Sequence, residues 1–207
     1  MTEDNDIKTA PYEDKIFDKP RARYKRRLTA TVSVVLVIVL AVICALIVKS
    51  CGVFDSYIVD GSSMYPTLNG GSDDLYDGDT LYLDCVAKIK RNDIIVFHWD
   101  WNGNDKELVK RVIGVGGDKV EIYGGIVYLN GTALKEDYAV GQTYNLYDGD
   151  LSALDATVPD GYIFCLGDNR EHSSDSREPS LGFVPLDKVV GKCFMVVSAD
   201  GRLRLPK

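Results

Sequence analysis

A serine hydroxyl becomes a nucleophile when a neighbouring base takes its proton. Ser63 is a candidate, in the stretch Gly61-Ser62-Ser63-Met64-Tyr65-Pro66-Thr67-Leu68. Gly61 frees the backbone before it and Pro66 fixes φ shortly after it, so the setting is turn-prone. A serine held that way can present its Oγ rather than bury it. The octapeptide alone does not establish catalysis, because the chain holds twelve serines and most serines cap or sit at the surface. The base has to come from elsewhere.

Lys110 is the candidate base, in Glu107-Leu108-Val109-Lys110-Arg111-Val112-Ile113. In a strand, alternate residues share a face. Lys110 then stands with Leu108 and Val112, and Arg111 with Val109 and Ile113. Free lysine has a pKa near 10.4 and is no base at neutral pH. Burial disfavours the ammonium, by up to roughly 3–5 units when complete, which brings the amine into a useful range. A lysine snorkelling from an edge strand is the plainer local reading. A third segment runs Gly167-Asp168-Asn169-Arg170-Glu171-His172-Ser173-Ser174-Asp175-Ser176-Arg177. Its Gly, Asn, Asp and Ser mark a loop. Its alternating charges could pair and brace a site, although composition alone fits a solvated turn.

The elements that must hold these residues follow from composition and pattern. With 207 residues the chain has room for one ordinary domain plus attachments. Its net charge of −7, with no basic stripe carrying interleaved aromatics, excludes a nucleic-acid partner. Charge is uneven: residues 1–27 hold 8 basic and 6 acidic side chains (net +2), and residues 49–207 hold 16 and 25 (net −9). Between them, residues 28–48 carry no charge, which matches the roughly 20 apolar residues that cross a bilayer as a helix. A cleaved signal peptide fits less well, since the run exceeds a typical h-region and no small-x-small site closes it. Six basic groups in residues 19–27 precede the span, which puts the N-terminus in the cytoplasm and the rest outside.

The expected organisation is a basic cytoplasmic tail over 1–27, a transmembrane helix over 28–48, a connector over 49–56 and a domain over 57–207. Residues 1–18 read as a disordered tail. Strand patterns occur at 80–83, 94–97, 108–113, 119–123, 126–129, 162–166 and 189–198. Asn130-Gly131 suits a type I′ hairpin turn. Residues 135–160 read as a long acidic surface loop. The fold class is therefore mostly β, a barrel-like domain of curved antiparallel sheets after one helix. Cys44, Cys51, Cys85, Cys165 and Cys193 form no CxxC pair. Cys165 and Cys193 could pair only if their strands are neighbours. His98 and His172 lack partners at ligand spacing, so no metal and no cofactor is expected.

Four segments carry a resemblance. Ser63-Met64-Tyr65-Pro66-Thr67-Leu68, Asp93-Ile94-Ile95-Val96-Phe97, Lys110-Arg111-Val112-Ile113-Gly114 and Gly167-Asp168-Asn169-Arg170 through Arg177 resemble, in order, the conserved boxes of the bacterial type I signal peptidases. The resemblance covers about residues 28–195, and the single span and Gly61 are similar to Gram-positive members. It implies a Ser-Lys dyad, with Ser63 as nucleophile, Lys110 as general base and Ser173 orienting the lysine amine. It implies that Arg111, Asp168, Asp175 and Arg177 brace the site as ion pairs. Val59, Asp60, Met64, Leu68, Leu108 and Val109 would wall pockets for small side chains before the cut. Implied partners are exported preproteins, membrane phospholipid and the secretion translocon. Gly61 stands where many Gram-negative members carry an oxyanion-binding serine, so the hole would rest on the Ser63 N–H and a second, unassigned donor. Gly116-Gly117-Asp118 replaces a more common Pro-Gly-Asp. Three rival readings are a Ser-His-Asp hydrolase using His98 or His172, a tethered non-catalytic binder of signal-peptide-like segments, and a self-cleaving repressor, which should carry a DNA-binding domain instead of a span.

Overall fold

A computed structural model describes residues 18–50, 52–71, 78–101, 103–144 and 154–206. The polar tail over 1–17, Cys51 and the centre of the acidic stretch lie outside the described residues. The first unit is one helix, α1 (Asp18–Ser50). Within it, the 24 residues Tyr24–Ile47 have a mean hydropathy of 3.1, and their side chains are exposed all round. A helix apolar on every face has no core stripe to bury in a soluble fold. It is long and apolar enough to cross a membrane. The helix begins ten residues before the uncharged run, so the basic cluster is helical rather than an irregular tail. Lys, Arg and Ala are good helix formers, and nothing in 21–27 breaks the turn.

The second unit is mostly β. Its strands are β1 (Phe54–Ile58), β2 (Thr80–Asp84), β3 (Ile94–Trp101), β4 (Asn104–Val115), β5 (Lys119–Tyr123), β6 (Ile126–Leu129), β7 (Thr132–Ala133), β8 (Leu154–Thr157), β9 (Tyr162–Leu166), β10 (Val184–Pro185), β11 (Val189–Val197) and β12 (Leu203–Arg204). A larger sheet runs β1-β2-β11-β3-β4-β9-β10, with β12 also on β11. A smaller one runs β7-β6-β5-β8. All pairings are antiparallel. Register shifts interrupt β11 against β2 and β3, and β4 against β9. Such bulges bend strands and increase twist, which curves the sheet.

The centre of the larger sheet is covered on both faces. Ile94, Ile95, Val96 and Phe97 are all buried, as is every residue from 109 to 114. Val109 packs with Val59, Met64, Leu68, Leu81 and Val96 in one cluster. Leu108 and Val112 pack with Ile95, Phe97 and Cys165 in a second, and Ile113 joins Val120, Val127 and Leu166 in a third. The period-2 split of β4 therefore holds, with Lys110 on the Leu108 and Val112 side, but both sides are dry. The Asn130-Gly131 turn takes φ of 52° and 77°, as a type I′ hairpin requires.

Two elements differ from the sequence-based expectation, and one open question is answered. β1 starts at Phe54, inside the stretch read as connector. β8 lies within the stretch read as loop, held by pairing to β5 rather than by its own short pattern. Cys165 on β9 and Cys193 on β11 are separated by β3 and β4, so their strands are not neighbours and both thiols are free. Burial pushes Cys165 up to about 12 and Cys193 up to about 11, which leaves both as small apolar fillers.

Candidate active site

Ser63 lies on the turn between β1 and β2. Gly61 takes φ +75°, the Tyr65 N–H donates to the Ser62 carbonyl at 3.1 Å and the Leu68 N–H to the Met64 carbonyl at 2.9 Å. Met64 and Leu68 are fully buried and pin the turn to the first cluster, while Ser62 and Tyr65 stay exposed. Gly70 closes the loop's base: an added Cβ would lie 1.7 Å from the Gly61 carbonyl oxygen. Ser63 is half-buried at this rim.

Lys110 reaches that rim from β4. It is 3% exposed, and its Nζ lies 2.9 Å from Ser63 Oγ and donates to the Val109 carbonyl at 2.9 Å. Burial lowers its pKa from 10.5 to about 8, against the opposing pull of Asp175. Asp175 does not win because its charge is already matched: Arg177 Nε and Nη2 donate to its two oxygens at 2.7 and 2.8 Å, with both side chains wholly buried. The Arg177 guanidinium itself pushes Lys110 further down.

The loop over 167–177 closes onto the turn. A Cβ on Gly167 would lie 2.2 Å from Ser173 Oγ and 2.5 Å from the Ser63 carbonyl oxygen, so only glycine allows this approach. The Gly167 N–H donates to Asp175 at 3.0 Å. Asp168 accepts two bonds from Arg111, at 2.8 and 2.7 Å, in a second buried pair. Ser173 Oγ is buried beside these groups, with no hydrogen-bond partner among the described residues.

Of the residues singled out in the sequence, Ser63 and Lys110 meet, as do Arg111 with Asp168 and Asp175 with Arg177. Val59, Met64, Leu68 and Val109 share one apolar cluster. Leu108 packs on the other side of β4, and Asp60 is exposed in a bridge to Gly71. Neither histidine is among the described partners of Ser63: His98 faces Asp105 and Glu107 on β4, and His172 is exposed.

Sequence reasoning missed an outer layer in residues 136–143. Glu136 accepts from buried Arg170 at 2.9 and 2.6 Å, and Tyr138 donates to Glu136 at 3.0 Å. The Arg111 guanidinium lies 3.9 Å above the Tyr138 ring. The Val140 N–H donates to the Asp168 carbonyl at 2.8 Å, and the Arg170 N–H to the Val140 carbonyl at 2.9 Å. No local pattern could reveal this, because apart from the Tyr138–Glu136 bond the partners lie about thirty residues away, as Arg170 does from Glu136.

The family described as signal peptidase, peptidase S26, matches residues 31–198. Signal peptidase I of Bacillus caldolyticus is 41% identical over 159 residues, covering 72% of this chain and 82% of that protein. Signal peptidase I S of Bacillus subtilis (strain 168) is 36% identical, covering 74% and 82%. A crystal structure of a signal peptidase I from Enterococcus faecalis V583 is 35% identical, with a TM-score of 0.40 over 52% of this chain and 97% of that one. The chain belongs to the signal peptidase family, peptidase S26.

Two stability outcomes follow from the buried charges. Arg111→Met leaves the Asp168 carboxylate buried without its partner, which should destabilise the domain by about 3–5 kcal/mol in a denaturant titration. Lys110→Met should be more stable relative to wild type at acid than at alkaline pH. The native pKa lies below the unfolded one, so wild type loses stability as pH falls from about 10.5 through about 8. The difference amounts to about 3 kcal/mol. Thermal unfolding of both proteins from pH 6 to pH 10 measures it, and a gap independent of pH contradicts the shifted amine.

Proposed function

We propose that this chain is a membrane-anchored serine endopeptidase that removes signal peptides from exported preproteins through a Ser63–Lys110 dyad. The observation that carries the reading is the 2.9 Å contact between a buried amine and a half-buried serine hydroxyl. A lysine with a pKa of about 8 holds an appreciable neutral fraction near neutrality and can take the Ser63 proton. Ser63 Oγ then bonds to the scissile carbonyl carbon, and its oxygen becomes an oxyanion facing the Ser63 N–H. The tetrahedral adduct collapses, the C–N bond breaks, and the Lys110 ammonium returns its proton to the leaving amine. Water, deprotonated by the same amine, attacks the acyl-enzyme and frees Ser63.

In its neutral form Lys110 uses its lone pair on the Ser63 O–H and has two hydrogens to place. Val109 O takes one, and we assign the other to Ser173 Oγ, which is buried with no hydrogen bond of its own, so a small side-chain shift has to bring it to Lys110. The Arg111–Asp168 and Arg177–Asp175 pairs brace the loop. Val59, Asp60, Met64, Leu68, Leu108 and Val109 select small side chains before the cut, and an extended substrate adds as a strand beside the sheet edge. The basic cluster ahead of the span keeps the N-terminus in the cytoplasm and the domain outside, where exported preproteins, phospholipid and the translocon are at hand.

The direct test is cleavage of a preprotein whose signal peptide ends in Ala-x-Ala, in detergent, by wild type, Ser63→Ala and Lys110→Met. Wild type should cut after the second alanine, and both folded variants should lose at least about 10³-fold. Full activity in Lys110→Met discards the dyad, and an inactive wild type that still binds the peptide favours a non-catalytic tether. For the active enzyme, kcat/KM should rise with pH through a midpoint near 8, because the base works deprotonated. A flat profile from pH 6 to pH 9 contradicts the assignment of Lys110.

A further inference from the structure

The peptide between Ser62 and Ser63 has two ends with different tasks. Across a trans peptide, the carbonyl and the N–H point to opposite sides of one rigid plane, so fixing one aims the other. The Ser62 carbonyl accepts from the Tyr65 N–H at 3.1 Å and from Asn169 Nδ2 at 3.1 Å. A carbonyl can only accept, so chemistry requires the amide nitrogen of Asn169 on that side. The Asn169 main-chain N–H donates to the next carbonyl, that of Ser63, at 3.0 Å. One residue, 9% exposed, thus clasps two successive carbonyls of the nucleophile turn. Among the described residues no acceptor takes the Ser63 N–H.

We propose that Asn169 is a positioning residue whose side-chain amide holds the Ser62–Ser63 peptide so that the Ser63 N–H faces the oxyanion of the acyl-transfer step. The inference rests on the Ser63–Lys110 reading. Its weight comes from Gly61, which has no side chain to supply a second donor. A hole built on one backbone N–H depends on its aim, since a donor must lie about 2.7–3.1 Å from the oxyanion. The hydrogen bond to the Ser62 carbonyl also polarises the shared amide and makes its N–H a better donor. The turn stays joined to the 167–177 loop in side-chain variants, because the main-chain bond to Ser63 remains.

The test uses the full chain in detergent with the same preprotein. Asn169→Asp is nearly isosteric, cannot donate and sets an oxygen against the Ser62 carbonyl. Asn169→Ser serves as a second variant if the first lowers the thermal midpoint. Both should lower kcat roughly 10- to 100-fold, part of the roughly 10²–10³-fold carried by a whole donor, and leave KM within about threefold. A peptide aldehyde, whose adduct with Ser63 places an oxygen in the hole, should weaken in parallel with kcat/KM. An uncleavable peptide of the same sequence should bind as to wild type. Unchanged kcat, or a loss shared equally by the uncleavable peptide, overturns the positioning role. Activity retained in Ser63→Ala or Lys110→Met would instead overturn the dyad itself, and this inference with it. Dead dyad variants beside wild-type rates in both Asn169 variants would refute this inference alone.

Discussion

A lysine amine taken out of water is the constraint on which the rest depends. Burial disfavours the ammonium of Lys110, and every neighbour must be arranged so that this preference is not cancelled. Asp175 is the obvious threat, because a free carboxylate nearby would draw the pKa back up. The bidentate Arg177 pair removes the threat and adds a cation that favours the neutral amine. Arg111, next in the chain, faces the other side of β4 and spends its charge on Asp168. Four charged groups therefore sit within a dry core, paired two by two, without flooding the amine with field.

The scaffold makes this arrangement from two loops and a strand. Residues 109–114 of β4 are buried on both faces, and Lys110 reaches from among them to the rim where Ser63 stands. Met64 and Leu68 hold the serine turn down from one side, and Gly167 lets the second loop close against the Ser63 carbonyl from the other. Buried ion pairs add little net stability against apolar replacements of the same volume. Here they fix the path of the loop over 167–177, with Arg177 also donating to the Arg170 carbonyl at 2.7 Å. The layer of Glu136, Tyr138 and Val140 then holds Arg170, Arg111 and the Asp168 backbone in turn. The Ser63–Lys110 contact is thus braced by two buried ion pairs, which the layer over 136–140 holds in turn.

Much of this is legible in the sequence, and what is legible and what is not have physical reasons. The span is a matter of uncharged length. The β5–β6 strands alternate, and Asn130-Gly131 announces its own turn, because those signals are local. Residues 108–113 read as a strand, but the pattern cannot say whether Lys110 is buried, since alternation reads the same whether one face is dry or both. Ser63, Lys110 and the charged loop each had a bland local reading. Only their order along the chain, compared with the signal peptidase boxes, joined them. β8 and residues 136–143 stayed hidden because their order comes from β5, Arg170 and Asp168, all distant in sequence. Asn169 was in view within Gly-Asp-Asn-Arg, yet its task depends on which carbonyl its amide meets.

All of this chemistry requires Lys110 to be a neutral amine within reach of neutral pH. The most direct measurement is an NMR titration of the protein labelled with 13C at lysine Cε, with Lys110→Met used to assign the resonance. One lysine resonance should titrate near 8, well below the ordinary 10.4 of a free lysine, and be absent from the variant. A Lys110 resonance that titrates with the rest would contradict it, and the amine would then be a structural cation rather than a base.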